Sequence, residues 1–211
     1  MKITFLLFDG VTALDVVGPF ESLVRIVECD IAFAAKTSGR IRTGDGFLGL
    51  HADVSIADVS STDILILPGG HPDGLRATML DTKVLTAIKR LDKGSQLTCS
   101  VCTGSLILAA AGLLKGRQAS THWRAKNALG RYGAIYSSRR VTRDGKFLTS
   151  AGVSAGIDMG LMLCEEVAGR EVAEAIELSM QYDAHPPFGT GDPETSATPE
   201  RIKLIETVLR Q

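Results

Sequence analysis

The strongest constraint on the fold of this chain is an alternation of short apolar runs with longer segments of helical period. Such runs are typical of strands buried on both faces, and the helical segments between them connect one parallel strand to the next. The pattern predicts an α/β fold in which helices cover both faces of a mainly parallel sheet, a three-layer sandwich. The predicted strands are Ile3–Phe8, Ile31–Ala35, Ile64–Leu67, Gln96–Val101 and Phe147–Ser150, and the predicted helices are Leu14–Val27, Asp81–Leu91, Gly104–Leu114 and Ile157–Val167.

Two further segments carry turn residues between extended pieces, which is typical of hairpins beside the main sheet. They are Phe47–Val54 and Val141–Thr149. No repeat and no Pro/Ser-rich linker divides the chain before about Asp183, so residues 1–211 are expected to form one domain with the tail 183–211 packed on it. The prolines of the tail predict a loop, and a short helix is expected at Glu200–Leu209.

The composition excludes several classes of function. With 211 residues, of which 45% are hydrophobic, the chain can bury a core without disulfides or a structural metal. Lysine and arginine number 23 against 24 acidic residues, which leaves a net charge of -1 and no overall positive field to hold a phosphate backbone. Nucleic-acid binding is therefore not expected.

The apolar stretches also argue against membrane insertion and secretion. The stretch Val101–Leu114 is interrupted by Thr103 and two glycines and is shorter than the ~20 residues of a spanning helix. The first apolar run follows a single Lys2 and stops at Asp9, which is too short for a signal peptide. A cytoplasmic location is expected, where the four cysteines would remain thiols.

Cys102 is the candidate nucleophile. It lies between a predicted strand and a helix that begins at once, and a residue on so sharp a turn is exposed at the top of the sheet. The unpaired N–H groups of the helix start would favour thiolate over thiol. The alternative is that Cys102 is one more buried thiol, as most cysteines are.

Cys99 forms a C-x-x-C pair with Cys102, which could indicate a redox centre. Cys99 falls inside the strand, however, so it is interpreted as core packing, with redox chemistry as the minority view. The chain has no second C-x-x-C pair, and its four histidines show no ligand spacing, so no metal site is predicted.

Three other groups are candidates for supporting roles. Gly69 and Gly70 follow a predicted strand, and their amides could hold an oxyanion or merely form a tight turn. Asp15 has apolar neighbours, which would raise its pKa and keep a proton available, although a helix cap is the better interpretation of its local sequence. His122 follows another short extended piece and is either structural or catalytic.

Several motifs together resemble the ThiJ/PfpI family, with its class I glutamine amidotransferase-like, flavodoxin-like fold, and more narrowly its isonitrile (isocyanide) hydratases. The motifs are FLLFDGVTALDVVGP at 5–19, LPGG at 67–70, SVCTGSLILAAAGLL at 100–114, ASTHW at 119–123, AGVSAGID at 151–158 and QYDAHPPFGTGDP at 181–193. The resemblance therefore covers almost the whole chain. Peptidase-like members place His directly after the cysteine, whereas this chain has Thr103, which argues against proteolysis.

The resemblance implies a role for each candidate residue. Cys102 would be the nucleophile and Asp15 its acid partner, Thr103 and the amides of Gly69 and Gly70 would contact the substrate or the sulfur, and His122 would support the site. It also implies a homodimer, a small apolar isonitrile and water as reactants, and no cofactor or metal. The expected reaction is hydration of the isonitrile to an N-substituted formamide through a thioimidate on Cys102.

Two other readings of the same cysteine remain open. One is a redox or stress-responsive protein, because accessible low-pKa thiolates are readily oxidised. The same cysteine could also serve another small-molecule activity of the deglycase or amidase kind. The other is a ligand-sensing domain similar to those of AraC-type transcription regulators. Those regulators add a DNA-binding helix-turn-helix, which the residues up to Gln211 do not contain, so this reading is the weakest.

Overall fold

Seven strands form the central sheet of the computed structural model, which describes residues 1–44 and 46–208. In chain order, all the strands of the described residues are β1 (Lys2–Leu6), β2 (Asp30–Ala35), β3 (Gly39–Arg42), β4 (Gly49–Ala52), β5 (Val54–Ser55), β6 (Ile64–Leu67), β7 (Leu97–Ser100), β8 (Gln118–Ala119), β9 (Ile135–Tyr136), β10 (Val141–Asp144) and β11 (Phe147–Ser150). Two further pairs, β3-β4 and β8-β9, lie outside the central sheet. Across the central sheet the order is β10-β11-β7-β6-β1-β2-β5. Only the edge strand β10 runs antiparallel to its neighbour. The predicted mainly parallel sheet is confirmed.

The helices connect these strands. They are α1 (Ala13–Leu23), α2 (Pro72–Leu80), α3 (Thr82–Gly94), α4 (Gly104–Ala110), α5 (Lys126–Arg131), α6 (Ala155–Ala168), α7 (Arg170–Ser179), α8 (Pro193–Ser196) and α9 (Pro199–Val208), with a 3-10 helix at Trp123–Ala125. The β1-to-β2 and β6-to-β7 crossovers run in opposite directions along the sheet, so right-handed connections place α1 and α3 on opposite faces. None of the helices in the described ranges is long and apolar enough to span a bilayer.

The core lies along the central strands. Every residue of β6 and β7 is buried, as a strand covered on both faces requires. Phe5 of β1 packs its ring against Phe20 of α1 and Phe33 of β2. Burial of side chains of this size contributes about 1.5–3 kcal/mol each, so the central strands fix the positions of the loops that follow them.

Some local predictions need correction. The segment Phe47–Val54, predicted to be a hairpin, contains only the second strand of one. Its strand β4 pairs with β3, which precedes the segment, and β5 joins the central sheet. The hairpin at Val141–Thr149 is present, but it extends the central sheet instead of lying beside it. The helix predicted to end at Val27 ends at Leu23.

Four helices within the described residues were not predicted, namely α2, α5, α7 and α8. Proline at the start of α2 suits a first helical turn, but the glycine within it, Gly74, obscured the helical pattern. A Cβ at Gly74 would collide with the backbone of Asp9, so close packing requires glycine there. The amphipathic helix α7 lies between the predicted helix Ile157–Val167 and the tail 183–211, in a stretch for which no element was predicted. The closing helix is α9, and Leu209 of the predicted range lies outside the described residues.

The topology brings three loops together. In the sheet order, β7, β6 and β1 are consecutive neighbours, and all three are parallel. The loops after these strands therefore lie at the same edge of the sheet. They are close to the point where the strand order reverses, because β2 is added on one side of β1 whereas β6 and β7 are added on the other. Ligand sites of open α/β sheets form at such a point.

Candidate active site

Cys102 occupies the tight turn between β7 and α4. Its φ is +57°, in the left-handed region that residues with a Cβ rarely adopt. Its N–H donates to the carbonyl of Ala151 at 2.9 Å, and its carbonyl accepts from the Thr121 hydroxyl at 3.2 Å. Such a conformation costs on the order of 1–3 kcal/mol and persists only where the surroundings impose it. These bonds hold the sulfur at the end of the strand.

The thiol of Cys102 is buried, with 6% of the residue exposed. Burial, and next the negative charge of Asp15, raise the pKa of the thiol to about 12, against smaller lowering effects from the Val153 and Thr103 amides and the Thr103 hydroxyl. The amide at the helix start lowers the pKa, as expected, but the net shift is upward, so thiolate is not favoured overall. Loss of solvation outweighs the amides at the start of α4, a helix of only seven residues.

Asp15 lies in the first turn of α1 and has no exposed surface. Its Oδ2 accepts a hydrogen bond from the Gly69 amide at 2.8 Å, whereas its Oδ1 has no partner of regular hydrogen-bond geometry among the described residues. Burial raises the pKa of the carboxyl to about 7, and the Gly69 amide and the Cys102 thiol lower it by less. The helix-cap interpretation is wrong, because the cap position is Thr12 and the carboxyl points to the loop after β6.

Asp15 and Cys102 therefore titrate as a coupled pair. Each group, once ionised, opposes ionisation of the other, because both are buried and close together. The pair loses a first proton near pH 7 and holds the second one far above that pH. In the singly protonated pair the remaining proton rests on the sulfur, the group with the higher pKa, and it reaches the carboxyl only by transfer within the pair.

The glycines after β6 hold this pair in place. The Gly70 amide donates to the Thr103 hydroxyl at 3.2 Å, as the Gly69 amide donates to Asp15. A Cβ on Gly69 would lie 2.6 Å from the Thr103 nitrogen and 2.9 Å from Asp15 Oδ2, so the approach requires glycine. Both amides already have partners within the chain, and an oxyanion role would require one of these bonds to be released.

His122 is placed beside the segment that accepts a hydrogen bond from the Cys102 amide, with its ring over Gly152. Its ring packs over Gly152, where an added Cβ would lie 2.8 Å from Cδ2. Burial, and next the charge of Arg124, lower the pKa of His122, so the ring is neutral at neutral pH. No hydrogen bond joins it to Cys102 or Asp15 among the contacts of the described residues.

Sequence reasoning missed several residues that contact Cys102, among them Thr121 and Val153. Thr121, with 1% exposure, donates to the Cys102 carbonyl, and the Val153 amide interacts with the sulfur. The only available signal was the position of each residue within a motif, Thr121 directly before His122 and Val153 within the 151–158 segment. A contact between residues so distant in sequence leaves no periodic pattern.

The other cysteine of the C-x-x-C pair is buried in β7, and burial raises the pKa of Cys99. Its position inside the strand agrees with core packing. Within the described ranges, no cluster of three or more His, Cys, Asp or Glu side chains could hold a metal ion.

Comparison with known proteins identifies the family and the relatives of this chain. Residues 1–166 match the DJ-1/PfpI family. Isonitrile hydratase from Pseudomonas putida is 36% identical over 196 residues, which span 93% of this chain and 85% of that protein. A crystal structure of a ThiJ/PfpI family protein from Pseudomonas syringae superposes with a TM-score of 0.92 at 34% identity, covering 97% of this chain and 86% of that one.

A more distant structure shares the fold alone. Drosophila melanogaster DJ-1beta has a TM-score of 0.77 at 20% identity, over 87% of this chain and 98% of that chain. The flavodoxin-like sheet, the cysteine turn at its carboxyl edge and the match over most of the sequence lead to one assignment: this chain belongs to the DJ-1/PfpI family.

Proposed function

We propose that this protein hydrates an isonitrile to an N-substituted formamide, with Cys102 as the nucleophile and Asp15 as the group that moves the proton. The observation that carries the proposal is that a thiol and a carboxyl, those of Cys102 and Asp15, are buried beside each other and interact at the carboxyl edge of the sheet. The likeness to an isonitrile hydratase over 93% of the chain supports the same reaction.

The first step adds the thiol across the terminal carbon of the isonitrile. Starting from the singly protonated pair, Asp15 takes the proton of the Cys102 thiol, the sulfur forms a bond to that carbon, and Asp15 delivers the proton to the same carbon. The product is a thioimidate, in which the carbon carries sulfur, one hydrogen and a double bond to nitrogen. Asp15 is left as a carboxylate.

The second step uses water. The Asp15 carboxylate takes a proton from water as the oxygen adds to the thioimidate carbon, and it passes this proton to the nitrogen. The carbon–sulfur bond then breaks, and the remaining hydroxyl proton returns to the Cys102–Asp15 pair. The net change is addition of one water to the isonitrile, and the formamide leaves.

The surroundings of the pair suit a small uncharged substrate. The groups that frame it are the Gly69 and Gly70 amides and the Thr103 hydroxyl, and none of these carries a charge. Asp15 is the only carboxyl among the residues proposed for the site, and buried surroundings of this kind favour an apolar molecule over an ion. An isonitrile presents one reactive carbon and needs no ionic anchor.

Turnover of cyclohexyl isocyanide, followed as appearance of N-cyclohexylformamide, tests the proposal. The parent protein is expected to produce the formamide, and Cys102→Ala is expected to lose turnover by at least 10³-fold, a typical effect of removing a nucleophile. Cys102→Ser, which keeps the shape of the side chain, serves as the matched variant and should be nearly as inactive. Full activity of Cys102→Ala would refute the mechanism.

A redox-sensing role for Cys102 has less support. Burial and Asp15 raise the pKa of this thiol, and oxidation by peroxide proceeds through the thiolate. Mass spectrometry after mild peroxide treatment distinguishes the two functions. Selective gain of two oxygen atoms on Cys102 in a protein without isonitrile turnover would favour sensing.

We also propose that the protein acts as a cytoplasmic homodimer, as the family resemblance implies. Leu14 and Met162 are large apolar side chains with 41% and 40% exposure, and they belong to α1 and α6, which pack against each other. Light scattering after size-exclusion chromatography should give twice the 22.4 kDa mass of one chain.

A further inference from the structure

A cavity lies away from the Cys102–Asp15 pair. It has a volume of about 570 Å³ and opens between the segment from the 3-10 helix into α5 on one side and α8 and α9 on the other. Volumes of about 300–1,000 Å³ are typical of small-molecule sites. Its lining includes neither Cys102 nor Asp15, so it is distinct from the proposed catalytic pair.

The wall formed by the tail is held by specific bonds. Glu206 of α9 forms an ion pair with Arg124 at 3.5 Å, which ties this helix to the opposite side of the cavity. Asp192 caps α8 by accepting from the Glu194 amide at 2.9 Å, and Arg201 donates to the Ser196 carbonyl at 3.1 Å across the turn between the two helices. The cavity is thus enclosed by ordered elements on both sides.

The lining favours an aromatic molecule. Trp123 and Tyr136 contribute two aromatic side chains, and Pro193, Ala197 and Ile202 contribute aliphatic surface. Offset stacking and edge contacts between aromatic rings add about 0.5–1.5 kcal/mol beyond burial of area. A planar ring can therefore gain from contact with both aromatic side chains.

The charged groups of the lining balance one another. Two cations, Arg124 and Lys126, face two anions, Glu194 and Glu206. A lining whose charges cancel among the described residues does not offset the desolvation of an ion, so an uncharged molecule is preferred.

Tyr136 adds one directional contact. Its hydroxyl makes no hydrogen bond within residues 1–44 and 46–208, and burial, followed by the charge of Glu194, raises the pKa of this phenol, so it stays a donor at neutral pH. A ligand with a carbonyl oxygen beside its ring could accept from it.

From the cavity, its aromatic walls and its balanced charge, we propose a binding site for an uncharged aromatic small molecule that carries a hydrogen-bond acceptor. The site is independent of the isonitrile reaction. It would be present even if the proposed hydration were wrong, because none of its evidence comes from Cys102.

The chain provides its own reporter, since Trp123 is the only tryptophan in the sequence. Three probes of nearly equal shape, namely benzamide, benzoate and benzamidinium, are titrated into the full-length protein while the Trp123 fluorescence is recorded. Benzamide should give a saturable change, and the two ions should bind at least tenfold more weakly. Equal affinity for either ion, or no saturable change with benzamide, would overturn the proposal.

Variants locate the ligand. Ala197→Phe fills the cavity and should weaken benzamide binding at least tenfold, whereas Ala184→Phe adds the same side chain at an exposed position of the tail and should change nothing. Tyr136→Phe keeps the ring but removes the hydroxyl and should weaken binding several-fold. Unchanged affinity in a folded Ala197→Phe protein would place the ligand elsewhere and refute the site, and Tyr136→Phe gives a second reading if Ala197→Phe does not fold.

Discussion

The carboxyl of Asp15 and the backbone amide of Gly69 are joined by a hydrogen bond of 2.8 Å, although 54 positions separate the two residues in the sequence. This bond connects the first turn of α1 to the loop after β6. It fixes one carboxyl oxygen, while the other makes no regular hydrogen bond among the described residues. The geometry of the proposed pair therefore depends on how closely the Gly69 backbone approaches both Asp15 and Thr103.

Replacing Gly69 by alanine should abolish the proposed hydratase activity and lower stability. The added Cβ would lie 2.6 Å from the Thr103 nitrogen and 2.9 Å from Asp15 Oδ2, so the loop must move and the amide bond to Asp15 is strained or lost. The expected destabilisation is about 1–3 kcal/mol, the usual cost of overpacking. Urea unfolding and formamide production measure the two effects.

Gly94→Ala is the matched control for that substitution. Gly94 ends α3, and an added Cβ there would meet no atom within 4 Å. This variant should keep full activity and gain roughly 0.5 kcal/mol of stability, because alanine loses less backbone entropy in a helix. Equal activity of the two variants would show that the close approach at Gly69 does not matter.

The pH dependence of turnover should follow the first ionisation of the coupled pair. The reactive state has lost one proton and keeps the other, so kcat/KM is expected to rise about tenfold per pH unit below about pH 7 and to level off above it. Initial rates with cyclohexyl isocyanide across that range test this. A rate that is highest in acid and falls through neutrality would instead identify the doubly protonated pair as the active state.

Asp15→Asn should change how stability depends on pH. In the folded protein the carboxyl pKa is raised from 3.8 to about 7, so between these values the folded state holds a proton that the unfolded chain has lost. Stability of the parent therefore falls as pH rises through this window and is constant above it. The shift corresponds to no more than about 4 kcal/mol, at 1.36 kcal/mol per pKa unit.

The asparagine variant removes this dependence, because its side chain does not ionise. Relative to the parent it should gain stability between about pH 5 and pH 8, while its isonitrile turnover is lost. Thermal unfolding at the two pH values gives the comparison. A parent whose stability rises with pH across this interval would mean that the carboxyl pKa is lowered by folding, contrary to the burial argument.

The sequence predicted the central strands well because their burial leaves a local signal. The predicted strands Ile64–Leu67 and Phe147–Ser150 coincide with β6 and β11, where every position is buried. Asp15 shows the limit of such reasoning. Its local sequence suggests a cap, whereas its actual partner lies on a loop that only the strand order brings near.

The pKa of Cys102 shows a second limit. The turn itself was predictable from the abrupt change between strand and helix. The direction of the pKa shift was not, because it depends on burial and on Asp15, which reaches the sulfur from a different element of the fold.

Thr121→Val should lower activity with a modest loss of stability. The Thr121 hydroxyl donates to the Cys102 carbonyl at 3.2 Å, and this bond helps to hold the left-handed backbone of Cys102. Valine has the same shape but no hydroxyl, so about 1 kcal/mol of stability and several-fold of kcat should be lost. Thr121→Ser keeps the hydroxyl and should retain most of the activity. If both variants matched the parent in kcat, the bond would have no part in positioning the sulfur.

His122→Gln should leave most of the hydratase activity intact, in contrast to Asp15→Asn. The ring packs over Gly152 and makes no hydrogen bond to Cys102 or Asp15 in the described structure, and its lowered pKa leaves it without a proton to give at neutral pH. A several-fold change in kcat is expected from altered packing, with the same dependence on pH as the parent. Measured pH–rate profiles of the two proteins decide the matter, because a proton-transfer role would flatten or displace the profile of the variant, whereas a packing role changes only its height.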